Sequence, residues 1–98
     1  MVSTELLAEV QLFADFPPEG LARVAAAAQE RHLDRNDVLF NEQDEATELF
    51  VVLSGRIAIA NVAMDGRESV VALMENGALF GEMGLFDGHG RSAAARAL

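Results

Sequence analysis

Phe80-Gly81-Glu82-Met83-Gly84-Leu85-Phe86, followed shortly by Arg91-Ser92-Ala93, is the stretch on which the reading of this chain turns. It sets a glycine, a carboxylate, a short apolar turn, a guanidinium and a hydroxyl in fixed order. Glycine lets a backbone N–H come close to an anionic oxygen. An ionised carboxylate only accepts hydrogen bonds, so Glu82 suits sugar hydroxyls that must donate. The Arg91 fork matches phosphate oxygens two at a time, and Ser92 adds a donor beside it. A phosphorylated ribose calls for this combination.

Upstream, the residue pattern is that of short strands. Val38, Phe40, Phe50, Val52, Ile57, Ile59, Val70 and Val71 are β-branched or aromatic and fall in runs broken by turn residues. Ser54-Gly55 and Asp65-Gly66 mark tight turns, the second a favoured hairpin pair, and Glu75-Asn76-Gly77 closes the series. Residues 48–53, 56–62 and 68–74 are therefore expected as successive strands of an antiparallel meander. Before Asp37 the period is helical. Leu6, Val10 and Phe13 share one face, with Ser3 and Thr4 available as caps. Pro17-Pro18-Glu19 reads as a break and a helix start, and Leu21, Val24, Ala25 and Ala28 predict an amphipathic helix from Glu19 to about Arg31. Helices followed by many short strands give an α+β fold, with the strands in an antiparallel β-roll of the jelly-roll kind.

Composition bounds the function. Ninety-eight residues make one domain, and a hydrophobic fraction of 51% with mean hydropathy of +0.18 excludes a disordered chain. No cysteine is present, which removes disulfides, thiolate zinc sites and cysteine-held iron–sulfur clusters. No apolar run reaches membrane-spanning length and the N-terminus lacks signal-peptide form, so a cytoplasmic location is expected, with no membrane partner. Sixteen acidic residues face seven basic ones, all arginine, for a net charge of −9. Such a surface repels nucleic acid. It also repels a free nucleotide at long range, so an anion site must be local and partly enclosed. Arg91 is the candidate for that local charge.

In order and spacing, Asp37-Val38-Leu39-Phe40, Leu49-Phe50-Val51-Val52-Leu53-Ser54-Gly55-Arg56-Ile57, Asp65-Gly66-Arg67-Glu68 and the Phe80–Ala93 stretch together resemble the cyclic-nucleotide-binding domain of the cyclic-AMP receptor protein (Crp/Fnr-type) family of bacterial transcription regulators. The resemblance runs over roughly residues 12 to 98. It implies that Phe80–Ala93 is a phosphate-binding cassette with a short helix opening at Glu82. There, Glu82 would accept from the ribose 2′-hydroxyl and the Gly81 and Met83 region would present backbone to the ligand. Arg91 would hold the cyclic phosphate, Ser92 would add a hydroxyl, and Ala93 its N–H. Ser92, where relatives also carry threonine, leans toward cyclic AMP, with cyclic GMP the alternative ligand. Val71, Ala72 and Leu73 are expected as inner-wall residues of the roll, and Val71 and Ala72 as packing on the sugar or base. Leu85 and Phe86 are expected in the cassette core, and Phe13, Phe16, Phe40 and Phe50 as plain core.

Each candidate has a blander reading. Glu82 alone would be a first-turn acid favoured by the helix dipole, and Arg91 alone a surface base offsetting Asp87. The two in this order reverse those odds. His89 lies in a glycine-flanked loop with only His32 as a second imidazole, so no metal site is expected. No nucleophile elbow, Gly-Lys-Ser/Thr phosphate loop or paired catalytic histidine occurs, so no enzymatic activity and no catalytic residue are expected. No cofactor is expected beyond the cyclic nucleotide itself.

Two departures from the family pattern stand out. The glycine usual near position 43 is absent from Glu42-Gln43-Asp44-Glu45, a loop far from the cassette in sequence. Ser92–Leu98 is poor in β-branched residues, so the strand expected there is weakly specified. Residues 1–98 are thus expected as a single cyclic-nucleotide-binding domain, incomplete at its C-terminus and without a DNA-binding domain. DNA would be reached only through a further C-terminal domain. Homodimerisation stays open, because the family's dimerisation helix lies outside this sequence. Attachment to an enzyme, a member that binds no cyclic nucleotide, and a purely interaction-based oligomeric roll are the rival readings.

Overall fold

The computed structural model describes residues 1–81 and 90–98. Residues 82–89, and with them the expected cassette helix, lie outside the described residues. The described chain divides into two compact units, Met1–His32 and Leu33–Leu98.

The first unit is helical. Helix α1 spans Thr4–Ala8, with Ser3 as N-cap accepting from the Leu6 N–H at 3.1 Å. A 3₁₀ turn at Gln11–Phe13 follows, so the Leu6–Phe13 periodicity is met by two short pieces rather than one helix. Helix α2 spans Pro18–Ala27, with proline in its first turn and Glu19 at its positive end. It stops short of Arg31 because Gln29-Glu30-Arg31 offers no apolar side chain to continue its packed face. Phe13 is buried, whereas Phe16 is exposed and meets it edge-on at 5.1 Å between ring centroids, so Phe16 is not core.

The second unit is the roll. Strands β1 (Val38–Phe40), β3 (Ile57–Val62), β4 (Glu68–Met74) and β6 (Ala94–Ala97) form an antiparallel sheet in the order β1-β6-β3-β4. Strands β2 (Phe50–Val51) and β5 (Leu79–Phe80) pair antiparallel as a second, two-stranded sheet. Val52, Phe50 and Phe80 from the second sheet's side pack with Ile57, Ile59, Met74, Ala95 and Ala97 of the first in one core. That shared core makes the two sheets a roll.

Asp65-Gly66 closes the β3–β4 hairpin as expected: Gly66 has φ of +87°, and the Arg67 N–H bonds Asp65 Oδ1 at 3.0 Å. The expected meander fails at its first strand. β2 pairs with β5 instead of β3, because Gly55 (φ +99°) turns the chain away and its N–H is held by Asn76 Oδ1 at 2.8 Å. The ladder also shifts between Ile59↔Ala72 and Ala60↔Val70, which leaves Val71 as the extra residue of a bulge. Val71 is 58% exposed and Leu73 is exposed too, so neither is the inner-wall residue expected; Ala72, opposite Ile59, is half-buried.

Strand β6 forms centrally despite its poor propensity. Ala95 and Ala97 are buried between the two flanking strands, where a methyl group fits and a branched side chain would crowd. Its one long side chain, Arg96, grips Glu68 of β4 with a fork: Nε donates to both carboxylate oxygens at 3.0–3.1 Å and Nη2 to Oε1. Hydrogen bonding to Arg96 holds the Glu68 carboxyl below its ordinary value of 4.5. A depressed acid contributes stability above its unfolded pKa and loses it as pH falls through the folded one. Glu68→Gln should therefore lower the melting temperature slightly at pH 7. That difference should shrink as pH drops below 4.5 and on adding salt, as thermal unfolding across pH will read.

Candidate functional site

Arg91 enters the roll from the segment just before β6. Its main chain is fixed first. The Arg91 N–H donates to Asp44 O and the Gln43 N–H donates to Arg91 O, both at 2.8 Å, an antiparallel exchange that extends the β1–β6 ladder. The loop without its glycine is therefore distant in sequence but bonded to the candidate site. It keeps its tight turn by placing Gln43 itself in the left-handed region, at φ of +72°. Glu42 Oε1 accepts the Val62 N–H at 3.0 Å and Asp44 Oδ2 the Asn41 N–H at 2.9 Å, so the loop is tied at both ends. Opposite it, Gly90 (φ +78°) has its absent Cβ only 3.0 Å from Gln43 O.

The side chain is buried, with 4% of its surface exposed, and is not the surface base of the blander reading. Nη1 donates to Gly81 O, and Nη2 to Glu48 O at 2.8 Å. Cζ stands 4.3 Å from the Phe40 ring centroid and 5.5 Å from that of Phe50. Nε is buried and has no hydrogen-bond partner among the described residues. Two carbonyls and a π-face soften the burial of a cation, but the orphaned N–H keeps a desolvation cost of roughly 1–3 kcal/mol. Gly81 is required where it sits. Its φ is +90°, and a Cβ there would lie 2.9 Å from Phe50 Cδ2 and 3.1 Å from Arg91 Nη1.

These groups wall a cavity of about 100 Å³. Gly81, Arg91, Ser92 and Ala93 line it together with the apolar side chains of Phe40, Ile59, Met74 and Phe80. Of the residues singled out in sequence, the roll brings Gly81, Arg91, Ser92 and Ala93 together. Val71 and Ala72 do not line the cavity, and Glu82 and Met83 lie outside the described residues. Ile59 was legible in principle, by alternation along β3; Met74 was not, because only the bulge at Val71 brings it to the face that Ile57 and Ile59 share. Phe40 and the Glu48 carbonyl carried no such signal. Among the described residues no group of three or more His, Cys, Asp or Glu could hold a metal ion, and no helix is long and apolar enough to cross a membrane.

The sequence profile of the cyclic nucleotide-binding domain matches residues 30–98, the whole of the roll and its cavity. The chain belongs to this family. Among known regulators, the chain is similar to the CRP-like cAMP-activated global transcriptional regulator of Mycobacterium tuberculosis, 30% identical over 93% of this chain and 41% of the relative. An uncharacterised NTE family protein of the same organism is 37% identical over 94% of this chain but only 15% of its own length. Among solved structures, the N-terminal domain of a transcriptional regulator from Streptomyces coelicolor superposes with a TM-score of 0.77 at 36% identity, covering 95% of this chain and 66% of that one. The chain thus spans less than half the length of the curated relatives it matches here. It is a cyclic nucleotide-binding domain related to CRP-like transcription regulators, built as the α+β roll of that family.

Two substitutions report on the site's backbone. Gly81→Ala combines a strained φ with contact against a ring and a guanidinium. It should cost about 1–3 kcal/mol in chemical denaturation, more than an alanine in an open turn such as Gly66→Ala. Gln43→Gly should do the reverse. It relieves a left-handed residue, offset by the flexibility it adds to the unfolded chain, and should stabilise by about 0.5–1 kcal/mol in the same assay.

Proposed function

We propose that this domain is the cyclic-nucleotide sensor of a transcription regulator and that cyclic AMP is its ligand. The observation that carries the reading is Arg91: a buried guanidinium at the wall of a cavity that Ser92 also lines, its Nε–H without a partner among the described residues. An anionic oxygen in that cavity would satisfy the orphaned donor, and in so enclosed a place the charge–charge attraction is stronger than in water. The cavity's volume is below the ≈ 300–1,000 Å³ of drug-sized sites, so it encloses one end of the ligand.

In this reading the cyclic phosphate takes that end, held by Arg91, Ser92 and the Ala93 N–H, with Gly81 giving the backbone room to approach. Glu82 accepts from the ribose 2′-hydroxyl and the backbone around Met83 faces the sugar. Val71 and Ala72 would meet the ligand only on the rim of the hairpin. Residues 1–98 act as one regulatory module, and any DNA contact belongs to another part of a longer protein. Ligand shifts the domain between states by its differential affinity for them, without chemistry. The mycobacterial relative is named as cAMP-activated, which supports the choice of purine.

A second reading, a regulatory domain joined to an enzyme, draws on the 37% identity to the NTE family protein. Mobility-shift assays on the full-length protein, with and without cyclic AMP, separate the two readings. Isothermal titration of cyclic AMP and cyclic GMP tests the site. Saturable binding should favour cyclic AMP, fall at least tenfold in Arg91→Ala and Glu82→Gln, and fall severalfold in Ser92→Ala. Binding that survives Arg91→Ala unchanged would remove the phosphate assignment.

A further inference from the structure

Arg91 rests on rings. Phe40 lies nearest, 4.3 Å from Cζ to centroid, and is itself braced by Phe50 at 5.8 Å and Phe80 at 6.4 Å, which stack on each other at 5.4 Å. The three phenylalanines come from β1, β2 and β5, so the platform under the guanidinium joins both sheets. Opposite Phe40 in the ladder stands Ala95, whose methyl leaves the ring room. A planar guanidinium can lie against such a face while its fork reaches two carbonyls; a lysine ammonium cannot do both. A leucine at position 40 would fill the core about as well and provide no π-face.

We propose that Phe40 is a positioning residue for the ligand's anionic group: its ring face holds the Arg91 guanidinium at the cavity wall and so sets the affinity. The proposal rests on the reading of Arg91 as the phosphate-holding group. Phe40 also lines the cavity, and the proposal differs from direct contact of its ring with the ligand and from a role in core packing alone.

The test uses the whole chain as native protein, Phe40→Leu, Phe40→Met, Phe40→Tyr, Arg91→Lys, and Phe40→Leu combined with Arg91→Lys. The first readout needs no ligand: in ¹⁵N-resolved NMR the Arg91 Nε–H should be shifted upfield by the ring current in the native and Phe40→Tyr proteins. In Phe40→Leu or Phe40→Met, whichever keeps the fold, that shift should be lost. The second is calorimetric. Affinity for cyclic AMP should fall about tenfold in the aliphatic variants and be restored in Phe40→Tyr. Within the Arg91→Lys background, Phe40→Leu should change affinity less than twofold. An Nε–H unmoved in the aliphatic variants overturns the proposal. So does an equal loss of affinity in both Arg91 backgrounds, which would make Phe40 a direct contact. Should the native chain bind no cyclic AMP, the proposed function falls while the NMR readout still decides Phe40.

Discussion

Burial of one guanidinium organises this domain. Arg91 exchanges main-chain bonds with the 43–44 loop and gives side-chain bonds to the carbonyls of Glu48 and Gly81. Its face lies on a ring from β1. Those contacts belong to four separate stretches of chain, and none is a carboxylate. A charge placed this deep is costly unless its donors are used. Here two of the three nitrogens bond main-chain oxygens, which cannot change with sequence, and the remaining one faces the need for an acceptor. The strained backbone nearby follows from the same demand. Gly81 and Gly90 hold positive φ where a Cβ would strike Phe50 or the loop carbonyls, because the chain must pass close to the arginine on both sides.

Local features of this site were legible in sequence and nonlocal ones were not. The order Gly81, Arg91, Ser92, Ala93 could be read because neighbouring residue types carry its chemistry. The Asp65-Gly66 turn could be read because its conformation is intrinsic to those two residues. Phe40 passed for plain core, since an aromatic residue carries no mark of whether its face meets a methyl or a cation. The Glu48 carbonyl is backbone and leaves no trace in residue identity. Val71 read as an inward residue because alternation was assumed to run unbroken along β4, and the bulge opposite Ile59 and Ala60 inverts it. The 42–45 loop seemed remote because antiparallel pairing joins residues far apart in sequence, here Gln43 with Arg91.

Charge acts at two ranges in this molecule. A net charge of −9 repels an approaching anion through solvent, an effect that salt screens beyond about 8–10 Å. Inside the roll the nearest charge is Arg91, shielded from water and from salt alike. An anion is therefore discouraged at a distance and favoured on arrival. That combination selects for ligands that offer apolar or hydrogen-bonding surface besides their charge, since attraction alone would not bring them in.

Strand β6 has a consequence beyond its packing. Ala93, Ala94, Ala95 and Ala97 are interchangeable, so sliding the strand by one residue would swap methyl for methyl along most of its length. Arg96 breaks that degeneracy. In the observed register it lies opposite Ala58 and reaches across to Glu68; shifted by one, it would fall opposite Ile57 or Ile59 on the core side. The exposed ion pair that contributes little energy thus works as a positional key. By fixing which alanine faces inward, it also fixes where, a few residues earlier, Arg91 and Ser92 meet the cavity.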